Sequence, residues 1–489
     1  LCQPVNGWFS IWPRRNRLSW IHNNLILPLA EPERHWGLGR RLRELERFDR
    51  LPEAKQRAES SAKVMRLLTH AYDTVPYYRQ VFDEAGFHPS EWTQGQNIPI
   101  PLTSRDTLRV QQDQMVSRRY RAEQLQSAST GGTTNTPVRL WRDIEGLRQK
   151  IALQYHLNRT AGYDQGDPTL LIWGAQRDLE MNPSWKRKFY DEQLMHHFTA
   201  PAGQISDLIF QRFRDRLNER KPKVMFGYGV TMARFAQYLE SNNLSHHNPK
   251  VIIVTAEAIT APEREYIERV FQCRVTDQYG SRDVGMVAMN CEHHTGMHFH
   301  PAGSLTEFVH HGTAPDGGTI HRLIITDLMN YGMPLIRYDT GDCVLLDDVQ
   351  CPCGRWYPRV KTVLGRALDT FVLADGTEIP GLAMANQLLL LTHSFRYITQ
   401  LQVIQKDYDK VQVRYVTAGS NEETERELAQ VSTALQRAFK VAIRCTMVKV
   451  QDIPRAASGK LRLCISEVPR PGQTITPEVN EAPQVASAV

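Results

Sequence analysis

The sequence predicts an α/β protein: a large N-terminal domain with mainly parallel sheets flanked by helices plus a β-rich subdomain, then a small α+β C-terminal domain. Three observations predict it. From Thr169 short apolar runs alternate with amphipathic helical stretches, the pattern of parallel sheets. After Gly312 the text changes to strand and turn, and a separate strand–helix–strand set follows residue 365. At 489 residues the chain has room for two or three domains and a substantial core.

Residues 30 to 90 are rich in Arg, Glu, Leu and Ala and read as helical, broken at Thr74-Val75-Pro76. A proline-marked link, Ile98 to Pro101, leads to a hydroxyl-rich loop, Ser127 to Pro137, and a short strand-like run, Val138 to Trp141. Helical pattern resumes from Ile144 to His156. Leu170–Trp173, Val224–Phe226, Val251–Val254 and Arg274–Asp277 read as strands. One intervening helix runs through Met232 and Leu239. Another begins with a Thr260-to-Glu263 capping box and carries Tyr266, Ile267, Val270 and Phe271 on one face. Ligands of parallel sheets sit at the carboxyl ends of the strands, so the loops at Gly227, Thr255 and Tyr279 should converge. Ile320–Thr326, Pro334–Tyr338 and Asp342–Leu346 read as further strands. A boundary at Gly365-Arg366 gives domains 1–365 and 366–468. The second has strands at Leu401–Ile404, Val411–Val416 and Ile443–Val450 and a helix at Glu422–Phe439; residues 469–489 read as a disordered tail.

Composition excludes several classes. A net charge of +6 with no long basic block argues against a nucleic-acid surface. The longest apolar runs, such as Leu388 to Leu391, cannot span a bilayer, and no leader pattern is visible, so no membrane partner is expected. Eight scattered cysteines do not make a disulfide framework, and a cytoplasmic protein is the expectation.

Five stretches can carry chemistry. In the loop around Ser129-Thr130-Gly131-Gly132-Thr133-Thr134, adjacent glycines admit a bulky anion while hydroxyls and amides donate to phosphate oxygens. A plain solvent loop has the same composition. No Gly-Lys-[Ser/Thr] follows, so it is not a Walker loop. Tyr279-Gly280-Ser281-Arg282-Asp283 offers an aromatic for a base and a carboxylate for Mg²⁺, or a simple turn. Asp342, after the Thr340-Gly341 turn, has two oxygens for two ribose hydroxyls, or is a turn aspartate. Lys460 follows the small residues Ala456-Ala457-Ser458-Gly459 and is either a charge-neutralising lysine or a surface one. Cys291, His293, His294, His298 and His300, with Cys351-Pro352-Cys353-Gly354, can form a tetrahedral zinc site; buried free cysteines are the alternative. Trp173, Phe226, Tyr228 and Met232 are candidate pocket walls, or core.

Taken in this order, the segments resemble the adenylate-forming superfamily over roughly Val75 to Leu463, most closely its phenylacetate–CoA ligase and CapK-like branch. The resemblance rests on Tyr279-Gly280-Ser281-Arg282-Asp283, Cys291 with Gly296-Met297-His298, Leu335 through Asp342, Cys351-Pro352-Cys353-Gly354-Arg355, and Gly365-Arg366 with Asp369. It implies ATP-dependent formation of an acyl- or aryl-adenylate from a carboxylic acid, then transfer to coenzyme A. Alternatives are delivery to a carrier protein or an amine, and a non-catalytic zinc-stabilised homologue. By position, Ser129, Thr130, Gly131, Gly132, Thr133 and Thr134 would hold the β- and γ-phosphates. Thr255, Ala256 and Glu257 would line the nucleotide and acyl pocket, and Tyr279 would lie on adenine within the ATP-binding segment Gly280, Ser281 and Arg282. Asp283 would serve Mg²⁺, Asp342 the ribose with Arg366 beside it, Asp369 the hinge, and Lys460 the adenylation step. Cys291, His298, Cys351 and Cys353 would ligate a structural Zn²⁺, and a homodimer is the default oligomer. Asn135-Thr136-Pro137 stands where relatives carry Gly-Lys-Pro, so one phosphate-side cation is missing from the loop.

Overall fold

The structure is a computed structural model. It describes residues 17–129, 138–173, 189–200, 207–256, 259, 261–293, 296–313, 318–347, 349–366, 371–375, 378–379, 395, 397–417, 421–439, 442–451, 453 and 464–468. These fall into two compact units, the first reaching Gly365 and the second beginning at Arg366.

The first unit opens with helices at Leu38–Asp49, Glu53–Thr74 and Pro76–Glu84. Pro76 ends one helix and starts the next, because it lacks the N–H that the preceding helix would need and fits the first turn of the following one. Strands β1 (Leu125–Ser129) and β2 (Arg139–Asp143) form an antiparallel hairpin. The hydroxyl-rich loop joins them, but Thr130 to Pro137 lie outside the described residues. Asp143 then caps the helix Ile144–Thr160, its Oδ1 accepting from Gly146 N at 2.7 Å.

Next come β3 (Thr169–Ile172), β4 (His197–Ala200), β5 (Val224–Tyr228), β6 (Val251–Thr255) and β7 (Arg274–Ser281), all parallel. Every residue of β6 is buried, as expected of a central strand covered on both faces. Helices Gly229–Ser241 and Ala261–Phe271 pack on one side through Met232, Phe235, Leu239, Ile267 and Phe271. The helix Ile144–Thr160 contributes Leu153 and Leu157 to a separate cluster with Val224, Val251 and Ile253. Strands β8 (Gly285–Asn290), β9 (Met297–Phe299), β10 (Ser304–Thr313), β11 (Thr319–Asp327), β12 (Tyr338–Leu346) and β13 (Arg359–Arg366) extend the same sheet. Its order is β10-β11-β12-β13-β9-β8-β7-β6-β5-β3-β4, eleven strands in all. The β-rich part therefore continues the parallel sheet through the antiparallel pairs β7–β8 and β8–β9.

One expected strand is absent. Pro334 to Arg337 is irregular, and β12 starts only at Tyr338. Arg337 has φ of 48°, a left-handed backbone that no strand tolerates, and Ile336 N donates to the Tyr78 hydroxyl instead of to a neighbouring strand. The helix from Ile144 runs four residues past the expected end, to Thr160. Thr260, the expected cap, lies outside the described residues.

The second unit contains a short pair, β14 (Phe371–Val372) with β15 (Glu378–Ile379), and a four-stranded sheet. In that sheet β16 (Ile398–Asp407) and β17 (Lys410–Thr417) form a hairpin, while β18 (Arg444–Lys449) and β19 (Cys464–Ser466) add parallel strands on either side. The helix Asn421–Phe439 places Leu428, Val431, Leu435 and Phe439 at helical spacing in a core with Val403, Val411 and Val413. The expected tail lies outside the described residues.

Candidate active site and metal centre

Two strands of the large sheet each carry a tyrosine and, four residues on, a carboxylate: Tyr279 and Asp283 at the end of β7, Tyr338 and Asp342 on β12. The pairs cross. Tyr279 donates its hydroxyl to Asp342 Oδ2 at 2.6 Å, and Tyr338 donates to Asp283 Oδ2 at 2.7 Å. The turn before Asp342 depends on Gly341, whose φ of 75° suits glycine; Asp339 Oδ1 accepts from its N–H, and Thr340 Oγ1 accepts from Asp342 N.

Asp283 is buried and sits under cations. Arg105 Nη2 donates to its Oδ2 at 3.2 Å, and Lys150 Nζ donates to its backbone carbonyl at 3.2 Å. Its other oxygen, Oδ1, is buried with no hydrogen-bond partner. Burial pushes the Lys150 ammonium below its ordinary value, and Asp327, 2.6 Å away, opposes that. Burial and the adjacent Asp283 raise the Tyr338 phenol far above the usual range, which keeps it a donor. The β1–β2 hairpin stands beside this group, since Arg142 of β2 donates to the Arg282 carbonyl. The Asp143 carboxylate accepts from Tyr331 N and Gly332 N, tying the hairpin to the irregular segment before β12.

Near the ends of β3 and β5, Trp173 stacks on Tyr228 with ring centroids 4.7 Å apart. Met232 is wholly buried in the core under the sheet. Tyr228, Thr255 and Gln278 are in register at the carboxyl ends of β5, β6 and β7. The Gln278 carboxamide is 2 % exposed, with neither Oε1 nor Nε2 hydrogen-bonded. Ala256 follows in a left-handed conformation, φ 67°.

Sequence reasoning therefore named Tyr279, Asp283 and Asp342, which the fold brings together. It missed Arg105, Lys150, Arg142 and Gln278. Arg105 is 178 positions from Asp283, and nothing local marks it. Of the other expected residues, Thr130, Gly131, Gly132, Thr133, Thr134, Glu257, Asp369 and Lys460 lie outside the described residues. Ser129 and Arg366 are placed as backbone only.

The thiol cluster is compact. Cys291, His298, Cys351 and Cys353 offer ligand atoms that all lie within 4.8 Å of one another. Cys291 Sγ is 3.5 Å from Cys351 Sγ, and Cys353 Sγ is 3.5 Å from His298 Nε2. Ligands around a tetrahedral zinc stand roughly 3.5–3.8 Å apart, so the donor set fits that ion. A turn closed by Gly354 N donating to Cys351 O, with Gly354 at φ 72°, aims both thiols of the knuckle inward. Hydrogen bonding from Cys353, and then from His298, holds the Cys291 thiol well below its ordinary range, against burial. An Arg355–Glu292 ion pair at 2.9 Å links the two halves.

A second cluster, Asp49, His156 and His300, lies near it. Here the ring chemistry argues for hydrogen bonding. Ala302 N donates to His300 Nδ1, so Nε2 carries the proton and donates to Asp49 Oδ1 at 3.0 Å. Asp49 also accepts from Tyr357 at 2.7 Å and pairs with His156 at 2.8 Å. Burial would raise the Asp49 carboxyl, but the two imidazoles hold it well below the usual carboxylate range.

Comparison with known proteins follows this geometry. Residues 383–467 match the CapK C-terminal domain family. Protein CapK of Staphylococcus aureus is 20 % identical over 80 % of this chain and 85 % of its own length. The phenylacetate-coenzyme A ligase of Thermus thermophilus is 23 % identical over 85 % of this chain and 97 % of its own. The crystal structure of 2-hydroxyisobutyryl-CoA ligase in the postadenylation state superposes with a TM-score of 0.66 at 19 % identity, covering 85 % of this chain and 90 % of that one. The chain thus shares the fold of that ligase. In sequence the chain is similar to CapK and to the phenylacetate–CoA ligases.

Proposed function

We propose that the protein is an ATP- and Mg²⁺-dependent acid ligase that converts a carboxylic acid to its acyl- or aryl-adenylate and passes the acyl group to coenzyme A. The observation that carries this reading is the crossed pairing of Tyr279 with Asp342 and Tyr338 with Asp283. It ties Asp342 of β12 to Tyr279 of β7 and sets Asp283 just past the carboxyl end of β7, where ligands of such sheets bind. Asp342 would accept the ribose hydroxyls, with Tyr279 along the adenine. Asp283 would hold Mg²⁺ through Oδ1, the oxygen that has no other partner; the ion would supply charge neutralisation at the phosphates. Arg105 and Arg142 flank this position and could stand in for the cation that the loop lacks at Asn135-Thr136.

The reaction joins a carboxylate to a triphosphate, so every reacting group is negative, and catalysis calls for cations and donors more than an acid–base pair. Ser129, Thr130, Gly131, Gly132, Thr133 and Thr134 would donate to the phosphates, and Lys460 would bridge carboxylate and α-phosphate. Cys291, His298, Cys351 and Cys353 would hold a structural zinc, because four protein ligands leave no open position.

Acid-dependent ATP–pyrophosphate exchange tests the proposal, and product mass with coenzyme A present or absent identifies the acceptor. Exchange with no acid in an aryl and aliphatic panel would instead support a non-catalytic homologue.

A further inference from the structure

A row of side chains crosses the carboxyl edge of the parallel strands. Trp173 stands just past β3, and Tyr228 of β5, Thr255 of β6 and Gln278 of β7 follow in register, on one face because parallel neighbours in register point the same way. Two residues back along each strand the same face carries Leu171, Phe226, Ile253 and Thr276. Ile253 clusters with Leu153 and Leu157, so this is the face that the helix Ile144–Thr160 covers. The cover is incomplete at the β3–β5 end. Leu171, Trp173 and Phe226 are only partly buried there, although every other residue of β5 is buried. Trp173 lies 5.8 Å from Phe226 and 4.7 Å from Tyr228 between ring centroids, which makes that end a flat apolar surface. At the closed, β7 end sits Gln278. The Thr255 hydroxyl between the two ends donates to the Gln278 backbone carbonyl at 3.4 Å.

Gln278 departs from how this chain treats buried amides. Neither its Oε1 nor its Nε2 has a partner, and a buried polar side chain without one calls for an explanation. Gln405, by contrast, accepts from Val372 N at 2.9 Å and donates to Val372 O at 2.6 Å. Gln56 likewise donates to Phe48 O and accepts from Trp356. Gln165 is unpaired as well, but it precedes β3, at the end of the sheet away from the ligand edge. Directly opposite Gln278 on β8, Met289 brings only a thioether. A carboxamide both donates and accepts. A ketone on a ligand would serve Nε2 alone and an ammonium Oε1 alone, whereas a hydroxyl gives and takes.

We infer that the acid carries a hydroxyl, which Gln278 binds while the apolar body of the acid lies along Trp173, Tyr228 and Phe226. Gln278 is then the residue that sets acid specificity. The inference rests on the acid-ligase reading above and narrows its substrate class to hydroxylated acids.

Matched acids with and without a hydroxyl, such as hydroxyphenylacetates with phenylacetate and hydroxybutyrates with butyrate, test it in ATP–pyrophosphate exchange. At least one hydroxylated acid should exceed its plain counterpart in kcat/KM by about 10–100-fold, and Gln278→Leu should bring that ratio to about one without lowering the melting temperature. Wild type that prefers the plain acid in every pair, or a variant that keeps the wild-type ratio, overturns the inference. Failure of the variant to fold overturns it as well, because an unpaired amide kept for substrate adds nothing to the stability of the free protein. If no acid supports exchange, the ligase reading falls by itself, and the rise in melting temperature that the same acids produce in wild type decides on Gln278. A larger rise with a hydroxylated acid than with its plain partner supports the inference, and equal rises in every pair refute it.

Discussion

Three buried polar side chains near the strand ends carry separate expectations. Asp283 keeps one oxygen for Tyr338 and Arg105 and has the other unpartnered. Asp283→Asn should lower pyrophosphate exchange by about 10²–10³, the size expected for one lost transition-state contact. Its Mg²⁺ requirement should also shift to higher concentration; a variant with wild-type Mg²⁺ dependence would remove Asp283 from the metal. Gln278 has both amide atoms unsatisfied, and such burial costs roughly 1–3 kcal/mol unless a ligand supplies the partner. Gln278→Leu should therefore raise stability while shifting acid preference from hydroxylated towards plain acids in the exchange assay. A destabilised variant with unchanged preference would show that the amide serves the fold. Asp277 is the pH-sensitive member, its carboxyl pushed by burial up to about 7 against the pull of Arg264. Between about pH 4 and 7 the unfolded chain has released this proton and the folded chain has kept it. Stability then falls as pH rises through that window, by about 4 kcal/mol in total, and Asp277→Asn should flatten the slope in urea titrations. Of these residues, sequence marked only Asp283, because it follows a recognisable aromatic-glycine segment. A buried glutamine reveals itself only once its surroundings are known.

At the level of elements, the thiol cluster depends on strand pairing. Cys291 follows β8 and His298 lies on β9, while Cys351 and Cys353 form the knuckle that leads into β13; the β9–β13 pair, Arg359 opposite His298, unites them. If zinc holds this junction, one zinc per chain should be found by elemental analysis. Stripping it, or replacing Cys353 by Ser, should lower the melting temperature by about 3 °C, the size of roughly 2 kcal/mol in a domain this large. A metal-free protein with an unaltered melting curve after chelation would refute it. The residue types were legible, since Cys-x-Cys-Gly with an earlier Cys and His is a recognisable ligand pattern. The neighbouring Asp49–His156–His300–Tyr357 clasp was not, because its members are up to 308 positions apart and none sits in a motif. The strand expected at Pro334–Tyr338 failed for a related reason. Its backbone groups bond to distant side chains, Tyr78 and Thr326, which no local pattern reports.

Over the whole molecule, the fold class was legible because βα alternation is a local signal repeated four times between Thr169 and Ser281. That the β-rich segment would continue the same eleven-stranded sheet was not, since joining them requires the long-range pairing of β9 with β13. The proposed chemistry divides along the chain in a comparable way. Asp283, Asp342 and the hydroxyl-rich loop belong to the portion before Gly365, whereas Lys460 comes after it, outside the described residues. If Lys460 bridges carboxylate and α-phosphate, it acts only while the adenylate is being made. Lys460→Ala should then abolish pyrophosphate exchange, by about 10²–10³, yet still transfer the acyl group from a supplied acyl-adenylate to coenzyme A at close to the normal rate. Both half-reactions keep the proposed contact of Asp342 with the ribose, so an Asp342→Asn variant measured alongside should weaken both. Equal losses in both steps for Lys460→Ala would mean that the lysine supports binding or folding in general, and the division of labour between the two parts of the chain would have to be redrawn.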